Sequence, residues 1–208
     1  MKRMLILTSF ILASSVLLIS SSALAEGFSA DMSWKEVGKE DRISKFYLSG
    51  NLYTYDLADN GQKMRLIVDR EAGMTKILNL DEKVFMEMPN NNFFITMNNP
   101  FEAHEAMLKQ FKQYKVFNEG EEEINGLNCE KRAIKWKAQT TVGDKIEEEQ
   151  EIVISRAWVS KKYNIPIKLI NYKGDKEHLV VELTNIKEGK ISEDVFQVPG
   201  DFKKHEMK

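Results

Sequence analysis

The chain has 208 residues, of which 42% are hydrophobic and 30% are charged, and its 30 basic and 32 acidic residues leave a net charge of −2. This composition is typical of one globular domain and argues against disorder. Because no basic block is present, we expect no nucleic acid as the main partner. No apolar run after residue 25 approaches the length of a membrane span, so we expect no transmembrane segment in the mature chain.

The first 25 residues have the pattern of an export signal. A basic pair at positions 2 and 3 precedes an apolar stretch at 5–19, and small residues at 20–25 follow. We predict a signal peptide over residues 1–25 with cleavage between Ala25 and Glu26. The alternative is an uncleaved anchor, which the small residues before the cleavage point disfavour. The predicted product is a soluble protein of the periplasm, with one domain over residues 26–202.

Apolar and polar residues alternate from residue 27 onward, which is typical of β-strands. Residues 28–34 have the character of a strand, and alternation marks two more around 46–48 and 53–55. Further strands are predicted at 62–69, 75–80, 83–88, 116–124, 127–137, 147–160, 165–172 and 179–186. Their short spacers permit only antiparallel neighbours, and Asn125-Gly126 is a strong hairpin signal. The total is about ten strands, followed by a short ending through residues 196–202.

One segment has helical rather than strand periodicity. Asn99 and Pro100 are suited to the N-cap and first helical positions. Phe101, Leu108 and Phe111 then fall on one face of the predicted helix, together with a histidine at position 104.

A sheet of about ten antiparallel strands accumulates twist and has edges that invite aggregation, so it is expected to curl. The predicted fold class is mainly β (α+β). It is a single strongly curved antiparallel sheet that forms an unclosed barrel, with one or more helices covering its concave face. The tail from residue 203 to residue 208 is predicted to be loose.

No pattern of catalytic or metal-binding residues is evident. The three histidines lack ligand spacing, the glutamate runs at 121–123 and 147–149 lack the order of a calcium loop, and no Gly-x-Ser-x-Gly elbow occurs. We therefore expect no enzyme, no metal and no cofactor. A hydrolase ranks last among the functional classes, since it would need paired carboxylates in a cleft or a cysteine beside a histidine.

The single cysteine, Cys129, excludes an intrachain disulfide, and its distance from the cleavage point excludes a lipid anchor. Its place in a predicted strand favours an inward-facing small apolar residue. The alternative is a reactive nucleophile, which alkylation of the native protein would detect.

The most informative feature is an apolar cluster between residues 86 and 111, in which pliable methionines accompany aromatic residues. Plain core packing is one explanation of this cluster, and a lid over a lipid-like ligand is the other. The candidate ligand-binding residues are Met86, Met88, Phe93, Phe94, Ile95, Met97, Phe101, Leu108, Phe111 and, outside this stretch, Trp158.

Several short motifs resemble the Lol lipoprotein-carrier superfamily. They are LIVD at 66–69, KILN at 76–79, KVFMEM at 83–88, WVS at 158–160, IPIK at 165–168, LTNI at 183–186 and FQVP at 196–199. INGLNC at 124–129 is similar to a Gly-x-x-Cys feature of an uncharacterised secreted branch of that superfamily. The resemblance implies an unclosed antiparallel barrel, covered by helices, whose concave apolar face accommodates acyl chains. No cargo-binding residue of the carriers aligns with this sequence.

The expected function is therefore a non-enzymatic periplasmic binding or carrier protein for an apolar ligand, either a lipid or the acyl chains of a lipoprotein. The alternative is an envelope sensor or protein-interaction module that has the same fold and a filled core. A monomer is expected in both cases. A contiguous apolar cavity in the structure favours the carrier, whereas a solid core favours the module.

Overall fold

The computed structural model describes residues 27–59, 61–92, 95, 99–102, 113–142 and 145–205, with side chains described except at 59 and 137–149. Within these residues the protein is mainly β and is built on one sheet of twelve strands. The strands are β1 (Gly27–Glu36), β2 (Arg42–Ser49), β3 (Leu52–Asp59), β4 (Gln62–Asp69), β5 (Met74–Asn79), β6 (Val84–Pro89), β7 (Tyr114–Ile124), β8 (Leu127–Val142), β9 (Lys145–Ser160), β10 (Pro166–Lys173), β11 (Lys176–Gly189) and β12 (Lys203–Lys204).

The order of strands across the sheet is β12-β6-β5-β4-β3-β2-β1-β11-β10-β9-β8-β7, so the sheet does not close. Strands joined by hairpins lie side by side and antiparallel, because such short connections allow no other pairing. One long-range pair, β1 with β11, joins the first six strands to the last group. The prediction of a mainly β, unclosed sheet is confirmed, and the sheet is mostly antiparallel, whereas the predicted covering helices are not found among the described residues.

Local turn chemistry places the β7–β8 hairpin where the sequence predicted it. Asn125 and Gly126 have φ angles of 51° and 83°, which are the two left-handed positions that a type I′ turn requires. Because such a turn follows the twist of its strands, residues 124 and 127 pair directly across it.

The connection between β6 and β7 leads from one end of the sheet to the other, since β6 lies beside the β12 edge and β7 forms the opposite edge. Its described residues include Asn99, whose Oδ1 accepts the backbone N–H groups of Phe101 and Glu102 at 3.2 and 3.4 Å. Residues 100–102 are helical, so the predicted N-cap is confirmed. The rest of the predicted helix lies outside the described residues.

The main hydrophobic cluster occupies one face of the sheet, called here the inner face. Leu66 of β4, Cys129 of β8 and Ile167 of β10 all belong to it, although many strands separate them in the sheet order. A flat sheet would hold these side chains far apart, because neighbouring strands are spaced about 4.8 Å apart. The sheet therefore curls around the cluster, as its accumulated twist requires.

A smaller cluster covers the outer face of β3 to β6. Ile67 and Leu78 point outward there and pack with Phe196, which ends a short 3-10 helix (Glu193–Phe196). The C-terminal segment thus shields apolar side chains that alternation places on the outer face.

Two predictions from the sequence need correction. The described chain has twelve strands rather than about ten, and the tail predicted to be loose from residue 203 begins with β12. The backbone N–H groups of Lys203 and His205 donate to the carbonyls of Lys83 and Phe85, at 2.9 and 2.7 Å. A two-residue parallel strand has no periodicity for a sequence pattern to reveal. Residues 206–208 lie outside the described residues.

Candidate functional site

The hairpin of β2 and β3 opens into a fork. The two strands pair from Ser49 and Leu52 at the turn to Phe46 and Tyr55, and their pairing stops there. Beyond that point residues 42–45 pair with β1 and residues 56–59 pair with β4. Alternate backbone groups of both strands are therefore directed into the gap without a partner strand.

Aromatic packing marks the closed end of this fork. Phe101 packs edge-on against Phe46, Tyr53 and Tyr55, with ring centroids 5.5, 5.8 and 6.2 Å apart. Its position follows from the Asn99 cap, which fixes the first helical turn over β3. The inner face is thus filled by rings up to the last β2–β3 pair, and any free space begins beyond it.

A cavity of about 310 Å³ lies at the opening of the fork and is called here the fork cavity. Met32 and Tyr55, each 2% exposed, form its inner wall. Trp34 and Leu57 are half-buried and continue the apolar wall toward solvent. Ser44 contributes a small side chain on the β2 side. The volume is at the lower end of the range for small-molecule pockets, about 300–1,000 Å³.

An arginine spans the fork. The guanidinium of Arg42 lies 4.8 Å from the ring centroid of Trp34, and its Nη1 donates to the carbonyl of Ala58 at 3.3 Å. A guanidinium stacked on an indole ring is held in place by the ring quadrupole while its edge stays available. The indole Nε1 of Trp34 is buried and has no acceptor among the described residues. Buried donors are normally satisfied, so this atom marks a place where a polar partner is needed.

The tyrosine hydroxyls of the fork are neutral. Burial, followed by the negative charge of Glu102, raises the pKa of both Tyr53 and Tyr55 above the ordinary tyrosine value. The Tyr53 hydroxyl donates to Glu102 at 3.1 Å and accepts from the Asn99 amide at 2.7 Å. The rings of Tyr53 and Tyr55 therefore carry no ionised phenolate that would repel an anionic ligand.

The residues predicted to bind ligand are only partly brought together. Met88 and Ile95 are buried in a small cluster with Met64 and Ile77, and Met86 packs against it. Phe101 belongs to the main cluster instead. None of the described residues among them lines the fork cavity. The other predicted positions, Phe93, Phe94, Met97, Leu108 and Phe111, lie outside the described residues.

Trp158 lies in the other half of the sheet, on β9. Its Nε1 donates to Glu122 at 2.7 Å, and the ammonium groups of Lys131 and Lys168 lie 5.1 and 5.6 Å from its ring centroid. With 6% exposure, the side chain is enclosed by these partners. Its hydrogen bond and cation–π contacts tie β7, β8 and β10 together, which accounts for a buried tryptophan without a ligand.

The residues of the fork cavity were missed by the sequence interpretation. A signal for them exists in β2, where the inner-face positions change from apolar Leu48 and Phe46 to polar Ser44 and Arg42. In β1 the matching positions, including Met32 and Trp34, stay apolar. Polar residues facing apolar ones across a strand pair indicate an incomplete core at that end of the sheet.

A larger depression of about 800 Å³ has a different character. Its polar walls include Arg70, whose guanidinium donates to the carbonyls of Asn164 at 2.8 Å and Gly50 at 3.1 Å. These bonds hold two turns together, which is a structural role. Open and polar, the depression is less suited to an apolar ligand than the fork cavity.

The described residues show no constellation for catalysis. They contain no group of three histidine, cysteine or acidic side chains that could hold a metal ion. His178 is half-buried and His205 is exposed, and neither is close in the sheet to Cys129. No described helix is long and apolar enough to cross a membrane.

Cys129 is fully buried, and its thiol donates to the carbonyl of Leu127 at 3.4 Å. Burial raises the pKa of this thiol, which lowers the fraction of reactive thiolate at neutral pH. We expect iodoacetamide to label the native protein far more slowly than the protein in 6 M guanidinium, as measured by mass spectrometry. Equal labelling rates under the two conditions would show that the thiol is accessible.

Comparisons with known proteins place the chain in a family and a fold. A family model described as "Domain of unknown function (DUF4412)" matches residues 31–161. No functionally curated protein matches the sequence. Among solved structures, an uncharacterized conserved protein from Thermus thermophilus has a TM-score of 0.51 and 10% identity, with 88% of this chain and 91% of that chain covered.

Two further structures are similar at lower scores. The MucA/MucB complex of Pseudomonas aeruginosa has a TM-score of 0.46 and 14% identity, covering 86% of this chain and 57% of that one. A LolA superfamily protein from Nitrosomonas europaea has a TM-score of 0.35 and 7% identity, covering 83% and 89% of the two chains. These similarities concern the fold, and they assign neither a ligand nor a partner to this chain.

Proposed function

This chain belongs to the DUF4412 family, whose function is unknown, and we propose that it is a non-enzymatic binding protein for an apolar ligand, which it holds in the fork cavity. The observation that carries the proposal is the apolar wall of Met32, Trp34, Tyr55 and Leu57 beside a gap in the sheet. Such concave apolar sites with a few polar groups are the usual form of ligand pockets. The protein is proposed to act in the periplasm after removal of residues 1–25.

The volume of the cavity limits the size of the ligand that it can hold. At about 310 Å³ the fork cavity suits one alkyl chain or one small apolar group. A lipid with several acyl chains would need more space than this volume provides. The proposal is therefore a single-chain ligand.

The alternative function, a protein-interaction module with a filled core, is favoured by the same rings. Phe46 packs within 5.5–6.4 Å of Phe28, Tyr53, Tyr55 and Phe101, so the centre of the inner face is solid. The two functions differ in what they require of the fork cavity. Only ligand binding is lost when that space is filled.

We expect the protein to bind the neutral fluorophore N-phenyl-1-naphthylamine with increased emission, and Ser44→Phe to weaken this binding. The new ring would occupy the fork cavity from β2 and exclude several buried methylenes of a ligand. Because each is worth about 0.8 kcal/mol, the expected loss is at least about tenfold in affinity. Fluorescence titration measures the dissociation constants.

Ser49→Phe is the matched control, since Ser49 lies at the other end of β2 and on the opposite face. Its affinity for the probe should equal that of the wild type. Circular dichroism should show that both variants are folded. If the wild type binds no probe, or if Ser44→Phe binds as well as the wild type, the fork cavity is not a ligand site.

A further inference from the structure

We infer that the ligand of the fork cavity is a single-chain anionic amphiphile, an alkyl carboxylate whose head group is bound by Arg42 and Lys63 at the mouth of the cavity. This inference rests on the proposed function and adds the charge and polarity of the ligand. Three observations support it: the positions of the two cations, the acidic groups around them, and the polar groups at the mouth that have no partner among the described residues.

The two cations lie on opposite sides of the fork. Arg42 belongs to β2 and reaches across the gap to the carbonyl of Ala58 on β3. Ala58 is the direct cross-strand partner of Lys63 on β4. Both cations also line the cavity itself. A ligand head at the open end of the fork would therefore meet positive charge from both sides.

Neither cation has a carboxylate partner among the described residues, whereas the acidic groups around the mouth are engaged elsewhere. Asp56 accepts two hydrogen bonds from Arg65, at 2.7 and 3.1 Å. Asp81 accepts the backbone N–H of Lys63 rather than its ammonium group. Among the described side chains at the opening, Arg65 balances the charge of Asp56 and Asp81 offsets only one of the two cations, so one positive charge remains to complement an anionic head group.

Asp41, next to Arg42 in the sequence, is exposed and lies 3.9 Å from Lys35. An exposed pair of this kind is largely screened by solvent. Among the described residues, Asp41 forms no hydrogen bond or ion pair with the guanidinium of Arg42, which stacks on Trp34.

Arg42 is preorganised for a carboxylate. Stacking on Trp34 fixes its plane, and the bond from Nη1 to Ala58 uses only one of its five donors. The remaining edge can form the paired N–H···O bonds that a carboxylate accepts. The Nε1 of Trp34, which has no acceptor in the described part of the chain, and the strand edges beyond the last β2–β3 pair add polar groups at the same end.

The apolar part of the ligand would lie deeper in the cavity. Trp34 and Leu57 lead from the mouth toward Met32 and Tyr55, which close the inner end. At the rim, Ile43 is 75% exposed and also lines the cavity, so it offers apolar surface where the chain enters. Charged groups at the mouth with apolar walls behind them match an amphiphile better than a neutral hydrocarbon.

The test compares three ligands with the same ten-carbon chain, namely decanoate, 1-decanol and decyltrimethylammonium, by competition with N-phenyl-1-naphthylamine below micellar concentrations. We expect decanoate to bind about tenfold more tightly than decanol at low salt, which corresponds to about 1.4 kcal/mol. Decyltrimethylammonium should bind more weakly than both. The preference for decanoate should shrink at 0.5 M salt, because exposed charges are screened.

Variants identify the groups responsible. Arg42→Gln and Lys63→Gln should each reduce the ratio of decanol to decanoate dissociation constants, and the double variant should bring it to about one. Their affinity for decanol should fall less than their affinity for decanoate, and a wild-type far-UV circular dichroism spectrum should show that each variant is folded. Lys176→Gln, at an exposed lysine of the β10–β11 hairpin, is the control and should retain the full preference.

A wild-type preference for decanol or for the ammonium ligand would overturn the inference, and so would a preference for decanoate that persists in the double variant. Binding of decanol and decanoate with equal affinity would also overturn it, while leaving the proposed function supported. If no ten-carbon ligand displaces the probe, the proposed function itself fails. The two failures are therefore distinguishable in one set of titrations.

Discussion

Replacing Phe46 by alanine is expected to lower the free energy of unfolding by about 3–5 kcal/mol. Phe46 is completely buried and its ring stacks on Phe28, Tyr53 and Tyr55, while Phe101 packs on its edge. Removing the ring leaves a cavity at the last β2–β3 pair, which the rigid strands cannot collapse to fill. Small domains have only about 5–15 kcal/mol of stability, so a large share would be lost.

Urea unfolding, followed by tryptophan fluorescence, measures this difference. Val37→Ala is the control, because Val37 is 68% exposed and its truncation should change stability by less than about 0.5 kcal/mol. A loss below about 1 kcal/mol for Phe46→Ala would mean that the aromatic cluster is not tightly packed.

The second large effect is expected at Asn99, where alanine should cost about 2–3 kcal/mol of stability. The Asn99 side chain has two roles at once. Its Oδ1 caps the helical turn at Phe101 and Glu102, and its Nδ2 donates to the Tyr53 hydroxyl. Since Asn99 is completely buried, water cannot replace either interaction.

A double-mutant cycle with Tyr53→Phe separates the two roles. Tyr53→Phe removes the bond from the Asn99 amide to β3 and the bond from the hydroxyl to Glu102, whereas the Asn99 cap should survive in that variant. We expect a coupling energy of about 1 kcal/mol between the two substitutions in urea unfolding. Additive effects would show that the Asn99–Tyr53 hydrogen bond contributes no stability, so that the cost of Asn99→Ala comes from the cap.

Local patterns predicted most of the strands and several details. Alternation located β4 at residues 62–69 and the neighbouring strands of the meander. The Asn125-Gly126 turn was predicted because a type I′ hairpin needs left-handed residues. Asn99 was predicted as an N-cap from its place before a proline, and Cys129 as an inward-facing residue from its strand. Each of these features depends on a few consecutive residues.

The features that the sequence missed depend on residues far apart along the chain. The β2–β3 fork arises where pairing with β1 and β4 replaces pairing within a hairpin. The polar inner-face residues of β2 mark this point, but they do not specify which strands pair there. β12 is held by carbonyls of Lys83 and Phe85, more than a hundred residues earlier, so its own sequence carries no signal. Which strands pair with one another at such points depends on tertiary packing.

The predicted site residues and the fork cavity lie on different segments of the chain, and the binding role of the predicted residues stays a prediction. Methionine and aromatic content drew attention to residues 86–111, whereas the fork cavity is built from β1, β2 and β3. Met88, Ile95 and Phe101 turned out to be packed in clusters. Density of apolar residues does not distinguish a filled core from a cavity, because both need the same side chains.

The pairing of β1 with β11 determines when this protein can finish folding. Ser33 on β1 donates to the carbonyl of Glu182, which lies 149 residues further along the chain. Closing so long a loop costs chain entropy before any contact repays it, and folding rates fall as such contacts become more distant. The edge of β1 that pairs with β11 therefore stays exposed until β11, nearly the last strand, has been synthesised. A chain with this topology is expected to fold late and to be most prone to aggregation before β11 arrives.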